Sequence, residues 1–256
     1  MRKCYFLFAL LCASIWSCGP DLNPQKYLVK SILSSSYEEY SFQYLGGRVQ
    51  NVTGTDSIRL DYVYYKDSTS IKLFNKSGKL VLRTQLAYAG SALVKVRIKW
   101  LFSQVWYKDS ISFSYNGNNL AGISYKNVNY LAVMQDGNLS SIRRGIGALS
   151  ASYTLSYDQR TNPFKSTYWL ESFITPNGFT TTLQPKAIAR YFSNNNISTG
   201  SSVILGVTEI ERYSYTYLHG ILPKAINVEI ETSKNKISNI VYIFDIQYIP
   251  KEGAGS

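Results

Sequence analysis

"FSYNGNNLAGI" occupies residues 113–123 and has the pattern of one complete β-hairpin. Phe113 and Tyr115 alternate with polar residues before the dipeptide Asn116-Gly117, and Leu120 and Ile123 follow it. Asn-Gly between two alternating segments is a strong hairpin signal, because both central turn positions need a positive φ. The stretch therefore predicts two antiparallel strands joined by a tight turn.

Variants of this unit recur along most of the chain. Alternating apolar residues flank Gly46-Gly47, Ser77-Gly78, Asp136-Gly137 and Gly220. The composition agrees with strands, since the 256 residues include 22 tyrosines and only 2 methionines, and aromatic residues favour strands. Closely spaced hairpins are typical of sandwiches and barrels rather than of βαβ units. We predict an all-β domain over residues 37–250, an antiparallel meander of about a dozen strands that closes into a barrel-like sheet.

One segment, residues 162–199, interrupts the alternation. It contains "NPFKSTYWLESF" and "QPKAIARYF", in which Pro163 and Pro185 suit the first position of a helix. The segment is therefore predicted as an insertion with one or two short helices. Residues 251–256 are predicted to be a C-terminal tail.

The first eighteen residues, "MRKCYFLFALLCASIWSC", resemble a bacterial lipoprotein signal. Arg2 and Lys3 precede an apolar run that is too short to span a bilayer comfortably, and a small residue precedes Cys18. We expect residues 1–17 to be removed and Cys18 to carry the lipid, which places the chain at the outer membrane on either face. An ordinary export signal is the alternative.

Residues 18–36 are predicted to form a tether that precedes the β domain. Asn23-Pro24 could start a short helix over residues 25–33, since Tyr27, Leu28 and Ile32 share one helical face. The other cysteines lie within the signal, so no disulfide is expected in the mature chain.

Two segments support a family resemblance. The chain carries "YDQRTNPF" at residues 157–164, and a second motif is formed by Tyr215, Tyr217, Gly220, Leu222, Pro223 and Ile226. Both are similar to Gram-negative lipoproteins of a family of unknown function described as having a porin-like fold. The resemblance covers roughly residues 37–249. It implies a lipid-anchored, barrel-like meander and implies no activity.

The sequence offers little catalytic chemistry. His219 is the single histidine, and no nucleophile motif, zinc ligand set, phosphate loop or cofactor motif accompanies it. We therefore expect neither an enzyme nor a metal or cofactor site. Paired carboxylates from distant strands leave a glycan-acting enzyme as an alternative, and the available acids are Glu171, Glu209 and Glu211.

Aromatic residues give one candidate ligand site. Trp100 lies in an alternating strand and is predicted to belong to the core. Trp106, Tyr107, Tyr168 and Trp169 lie at a strand boundary or in the irregular insertion, so they are the candidates for a ligand-stacking surface.

A basic surface is the other candidate. In the hairpin over residues 79–100, the positions Lys79, Arg83, Lys95, Arg97 and Lys99 are all odd-numbered. A turn near Gly90 would place Arg83 opposite Arg97 and keep the five charges on one face. That face is either a solvated surface that prevents edge pairing or a contact for an anionic glycan or lipid head group.

These features lead to one functional expectation. The net charge of +11 suits an anionic partner, but no nucleic-acid motif is present. We expect a lipid-anchored, non-enzymatic binding or scaffold module for an anionic glycan or envelope component. An integral outer-membrane barrel is the alternative, although segments such as "NLSSIRR" are short and polar for a spanning strand.

Overall fold

A computed structural model describes residues 27–34, 39–55, 57–144, 152–166, 173–204, 207–218, 222–233 and 242–251. These residues form eighteen strands and one helix, α1 (Pro185–Phe192). In chain order the strands are β1 (Tyr27–Ser34), β2 (Glu39–Leu45), β3 (Arg48–Gly54), β4 (Arg59–Tyr64), β5 (Ser68–Phe74), β6 (Leu80–Ala89), β7 (Ala92–Phe102), β8 (Val105–Asn116), β9 (Asn119–Tyr125), β10 (Val128–Gln135), β11 (Asn138–Arg144), β12 (Ser152–Thr161), β13 (Ile174–Asn177), β14 (Thr180–Leu183), β15 (Asn195–Ile204), β16 (Val207–Leu218), β17 (Leu222–Thr232) and β18 (Tyr242–Pro250).

All strands except β13 and β14 form a closed antiparallel barrel of sixteen strands. Each strand pairs with its neighbour in the chain, and β12 pairs with β15 across the insertion. The first and last strands close the barrel, with Tyr27 opposite Pro250. The predicted antiparallel meander that closes into a barrel is confirmed. The barrel has sixteen strands, which is more than the dozen predicted.

The barrel has two distinct ends. The terminal end carries Tyr27 and Pro250, together with the turns at Gly47, Gly90 and Gly117. The distal end carries the turns Ser103-Gln104 and Lys126-Asn127. At the terminal end the Asp136-Gly137 turn has φ values of 51° and 75°, which explains why this dipeptide marks a hairpin in the sequence.

Side chains alternate between the lumen and the outer wall. Along β7, Val96, Ile98 and Trp100 are buried inside the barrel, whereas Arg97 and Lys99 are exposed outside. Ile111 and Phe113 of β8 are buried beside them. The lumen of the described chain is therefore a packed hydrophobic core, and the outer face of β7 is polar at mid-height.

The insertion contributes to this core. Pro185 occupies the first turn of α1, as the sequence predicts, and the helix buries Ala187, Ile188, Ala189 and Tyr191. Phe113 packs against Phe173 at a ring-centroid distance of 5.7 Å and against Phe192 at 5.3 Å. None of the helical segments in the described ranges has the length and hydrophobicity that a helix needs to cross a bilayer.

Three local predictions need correction. Tyr27–Ser34 is a strand rather than part of a helix over 25–33, because barrel closure pairs β1 with both β18 and β2. Pro163 begins a turn rather than a helix, since the Asn162 side chain accepts from the Phe164 amide. The insertion ends before Asn195, where β15 rejoins the barrel, and it contains the hairpin β13–β14.

Candidate ligand pocket and charged surfaces

Tyrosine hydroxyls connect neighbouring strands at the terminal end of the barrel. Tyr44 of β2 donates to the Val29 carbonyl of β1 at 2.7 Å, and Tyr64 of β4 donates to the Val49 carbonyl of β3 at 2.7 Å. Four further tyrosine hydroxyls donate in the same way to a main-chain carbonyl of the preceding strand in the wall. The pairs are Tyr115 with Leu93, Tyr157 with Leu139, Tyr215 with Ile197 and Tyr248 with Pro223. The tyrosine richness thus has a structural role at this end.

These phenols are protonated at neutral pH. Burial, reinforced for Tyr64 by the nearby Tyr88, raises the pKa of Tyr64 to about 12, and burial raises that of Tyr115 to about 12. Burial also raises the pKa of Tyr44 and Tyr248. The hydroxyls therefore stay hydrogen-bond donors, and their second lone pair is left for a further donor.

A cavity of about 440 Å³ lies at this end, between the wall and the start of the insertion. This volume falls in the range of small-molecule sites, about 300–1,000 Å³. Strands β1 to β6 and the turns at their terminal ends supply most of the lining, and the insertion supplies Pro163, Phe164 and Ser166. Seven tyrosines line the cavity: Tyr27, Tyr44, Tyr62, Tyr64, Tyr65, Tyr88 and Tyr248.

The charged residues in the described lining are both basic. Arg48 follows the Gly47 turn, and its guanidinium lies 5.4 Å from the centre of the Tyr64 ring. Lys66 follows Tyr65 at the β4–β5 connection. Aspartate, glutamate and histidine are absent from the described lining. The pocket combines aromatic faces with positive charge, which suits an anionic ligand that has apolar ring faces.

This pocket is not among the sequence predictions, although the sequence carries a signal for it. A tyrosine stands two residues before the glycine of three terminal-end turns, at Tyr44, Tyr88 and Tyr115. Because a strand side chain two residues from a turn lies at the rim, this Tyr-x-Gly repeat places aromatic rings around one mouth of the barrel.

The predicted aromatic site does not form as one surface. Trp106 is 45% exposed on the outer wall, with the Arg83 guanidinium 5.9 Å from its ring. Tyr107 points the opposite way and stacks on Trp100 at 5.8 Å. Adjacent strand residues face opposite sides, so the two side chains cannot share a ligand. Tyr168 and Trp169 lie outside the described residues.

The basic residues lie on the outer wall in a register that differs from the prediction. Arg83 pairs with Lys99, whereas Arg97 pairs with Gln85 and Lys95 with Ala87. The observed pairing is shifted by two residues from the predicted one, because the turn is Gly90-Ser91 and a bulge lies between Ala87 and Tyr88. A shift by an even number of residues keeps the basic side chains on one face. Lys79 precedes β6 and donates to Gln104 at 2.8 Å.

The register extends the basic surface across four strands. Lys72, Arg83, Lys99 and Lys108 lie side by side on β5 to β8, and we call them the basic row. In the described part of the chain, none of the four makes a salt bridge. Like charges directly opposite one another are unfavourable, so the row is an unneutralised positive surface.

The remaining candidates give no further site. Cys18, His219 and Glu171 lie outside the described residues. Glu211 is 3% exposed, forms an ion pair with Lys186 of α1 and accepts from the Tyr213 hydroxyl at 2.7 Å. The described residues contain no cluster of three or more histidine, cysteine, aspartate or glutamate side chains that could hold a metal ion.

No protein-family model matches the chain, and no curated protein matches it. Among solved structures, it is similar to a porin-like protein of Bacteroides uniformis ATCC 8492, with a TM-score of 0.53 and 11% identity over 87% of this chain and 95% of that chain. It is also similar to a porin-like protein of Bacteroides vulgatus ATCC 8482, with a TM-score of 0.53 and 12% identity over 86% of this chain and 97% of that chain. The chain therefore shares the porin-like barrel fold of these two proteins.

Proposed function

We propose that the chain is a lipid-anchored cell-envelope protein whose barrel binds an acidic carbohydrate in the tyrosine-lined pocket. The observation that carries the proposal is the cavity of about 440 Å³ at the terminal end, where seven tyrosines accompany Arg48 and Lys66. Tyrosine rings can pack against the C–H face of a pyranose, and their hydroxyls can bond its hydroxyl groups. A guanidinium fork is well suited to a sugar carboxylate.

The outer wall supports a barrel that stands outside the bilayer. One row of neighbouring outward positions runs across seven strands and is entirely polar: Gln43, Asn51, Asp61, Lys72, Arg83, Lys99 and Lys108. A lysine or arginine on a lipid-facing wall costs about 2–4 kcal/mol at the bilayer midplane. Arg97 stands on the outer wall at the middle of β7 and would bear that cost, so this wall opposes insertion.

The filled lumen favours binding over conduction. Buried α1 and the aromatic contacts of Phe113, Phe173 and Phe192 occupy the interior that a channel would need. The described pocket lining lacks the paired carboxylates of a glycosidase, and Glu211 is engaged by Lys186. The geometry thus favours a binding protein over the alternatives of an integral channel and a glycan-acting enzyme.

The pocket is tested by titration of glucuronate-containing oligosaccharides against the chain that begins at residue 19, which keeps all sixteen wall strands between Tyr27 and Pro250. We expect Arg48→Gln to weaken binding at least about tenfold, the equivalent of one lost charged contact. Arg59→Gln, at the distal end of β4, removes the same charge and should leave binding unchanged. Absence of binding, equal binding of neutral glucose oligomers, or insensitivity to Arg48→Gln would contradict the proposal.

The anchor is tested separately in cells. Cys18→Ala should move the chain from the membrane fraction to the soluble fraction, because the thiol that takes the lipid is lost. Cys12→Ala is the matched control, since it removes a thiol from the apolar run without changing Cys18. A Cys18→Ala chain that stays fully in the membrane fraction after a high-salt wash, which weakens charge-dependent surface binding, would argue against lipid anchoring. If the chain that begins at residue 19 requires detergent and conducts ions in planar bilayers, the integral barrel is the better description.

A further inference from the structure

The β7–β8 hairpin ends in exposed apolar side chains at the distal end of the barrel. Phe102 is 42% exposed, Val105 is 52% exposed and Trp106 is 45% exposed, around the Ser103-Gln104 turn. Phe179, at the turn between β13 and β14, is 69% exposed. A Cβ on the neighbouring Gly178 would lie 3.7 Å from the Phe102 ring, so the two turns are adjacent. We call Phe102, Val105, Trp106 and Phe179 the apolar tip.

Hydrogen bonds hold the two turns of the tip together. The Trp100 indole N–H donates to the Gly178 carbonyl at 2.8 Å, and the Lys126 ammonium donates to the Thr181 carbonyl at 2.7 Å. The Thr181 hydroxyl also bonds Asp109 and lies 2.6 Å from the Tyr125 hydroxyl. The tip is thus a fixed surface, and burial of its large apolar side chains would be favourable.

Basic residues stand directly behind the tip on the outer wall. Lys99 and Lys108 pair with one another and lie two residues farther from the β7–β8 turn than the Leu101–Trp106 pair. Two residues of a strand correspond to about 7 Å. Arg83 lies over the Trp106 ring, and Lys79 reaches the tip through Gln104. None of these four basic residues has a salt-bridge partner in the described part of the chain.

We propose that the distal end docks on an anionic bilayer surface. An interfacial apolar surface enters the boundary between head groups and acyl chains by about 5–10 Å, which matches the spacing of about 7 Å between the tip and Lys99–Lys108. Tryptophan is enriched at that depth, and each basic residue near anionic lipid strengthens the attachment. A polyanionic glycan would complement the lysines but would leave the projecting apolar side chains exposed, so the bilayer fits both features.

This docking surface is distinct from the ligand pocket. The pocket lies at the terminal end with Tyr27, and the apolar tip lies at the opposite end. The proposal therefore rests neither on the Cys18 lipid nor on carbohydrate binding, and the chain that begins at residue 19 tests it without an anchor. Arg48→Gln should impair the pocket and leave vesicle binding unchanged.

The experiment is sedimentation with phosphatidylcholine vesicles, with and without phosphatidylglycerol. We expect binding that needs phosphatidylglycerol and weakens with salt. Trp106→Ser/Phe179→Ser removes two large apolar contacts and should reduce binding at least about tenfold, a factor that the loss of one such contact already produces. Lys99→Gln/Lys108→Gln should also reduce binding and flatten its salt dependence. Trp106→Phe should retain binding but lose the blue shift of tryptophan fluorescence that vesicles produce.

Matched variants elsewhere on the barrel serve as controls. Leu131→Ser/Val133→Ser removes two exposed apolar side chains from the outer wall, and Lys30→Gln/Lys66→Gln removes two exposed charges. Both should bind like the unmodified chain. The proposal is overturned if anionic vesicles are not bound, or if tip and control variants behave alike. It is also overturned if size exclusion shows a dimer that the tip variants dissociate, because the tip is then covered by a second copy.

Discussion

The Tyr44 hydroxyl donates a 2.7 Å hydrogen bond to the main-chain carbonyl of Val29, and this bond joins β2 to β1 beside the closure of the barrel. Tyr64 repeats the arrangement between β4 and β3, and Tyr115 repeats it between β8 and β7. A buried hydroxyl that satisfies a carbonyl contributes to stability and fixes the ring orientation. Tyr44 and Tyr64 therefore line the pocket as well as joining strands of the wall, whereas Tyr115 only joins strands.

Loss of one such hydroxyl should have a small, measurable cost. Tyr44→Phe is expected to lower the free energy of unfolding by about 1 kcal/mol, because the hydrogen bond to Val29 is lost without a change in ring packing. Urea unfolding measures the change, provided that the slope of the unfolding free energy against urea concentration is the same for both proteins. Tyr65→Phe is the control, since Tyr65 is 62% exposed and its hydroxyl has no partner among the described residues. Equal effects of the two substitutions would show that the bond contributes nothing.

Stability should depend on alkaline pH in a defined direction. Burial raises the pKa of Tyr64 and Tyr115 from 10.0 to about 12, so the folded chain holds these protons more tightly than the unfolded chain does. This contribution is complete below pH 10.0 and is lost as the pH rises towards about 12. Unfolding midpoints measured across this range should fall less steeply for Tyr64→Phe/Tyr115→Phe. A variant with the unmodified pH profile would contradict the prediction.

The ion pair between α1 and the wall provides a test of how the insertion is held. Lys186→Met should destabilise the fold by about 3 kcal/mol, because it leaves the buried Glu211 carboxylate without its cation. Adding Glu211→Gln should recover most of the loss. Arg212→Met is the control, since Arg212 pairs with Glu231 at 2.9 Å on the exposed wall. That pair should contribute less than about 1 kcal/mol, so similar losses for both single variants would refute the distinction.

Repulsion within the basic row should be relieved by charge reversal. Lys108→Glu places a carboxylate opposite Lys99 and is expected to stabilise the fold by about 0.5 kcal/mol at low salt. Salt should diminish the gain, because it screens exposed pairs. Lys76→Glu, in the exposed turn after β5, has no cross-strand partner and serves as the control. A gain that is equal at both positions would indicate a net-charge effect rather than the pairing.

The local pattern predicts hairpins and faces because both depend on residues close in the chain. Asp136-Gly137 lies between β10 and β11, and α1 begins at Pro185. Asn116-Gly117 marks the β8–β9 hairpin, but Asn116 is the last residue of β8 and pairs with Asn119, so the turn itself is Gly117-Asn118. Alternation also predicts that Arg97 and Lys99 share the outer wall, since an even shift of register preserves the face. The register itself was not predictable, because the bulge between Ala87 and Tyr88 changes the pairing without changing the alternation.

Contacts between residues that are distant in the chain decided the conformation of β1, the pocket and the apolar tip. The segment from Tyr27 resembles a helix by its apolar spacing, but β18 and β2 offer it two hydrogen-bonding partners, and pairing outweighs local propensity. The pocket needs Tyr44, Tyr248 and Phe164 at one mouth, and the apolar tip needs Phe102 beside Phe179. Period-two alternation specifies only the side of the wall that a residue faces. Closure of the barrel and the path of the insertion through its lumen determine which distant residues meet, because those long-range contacts have no counterpart in the local sequence.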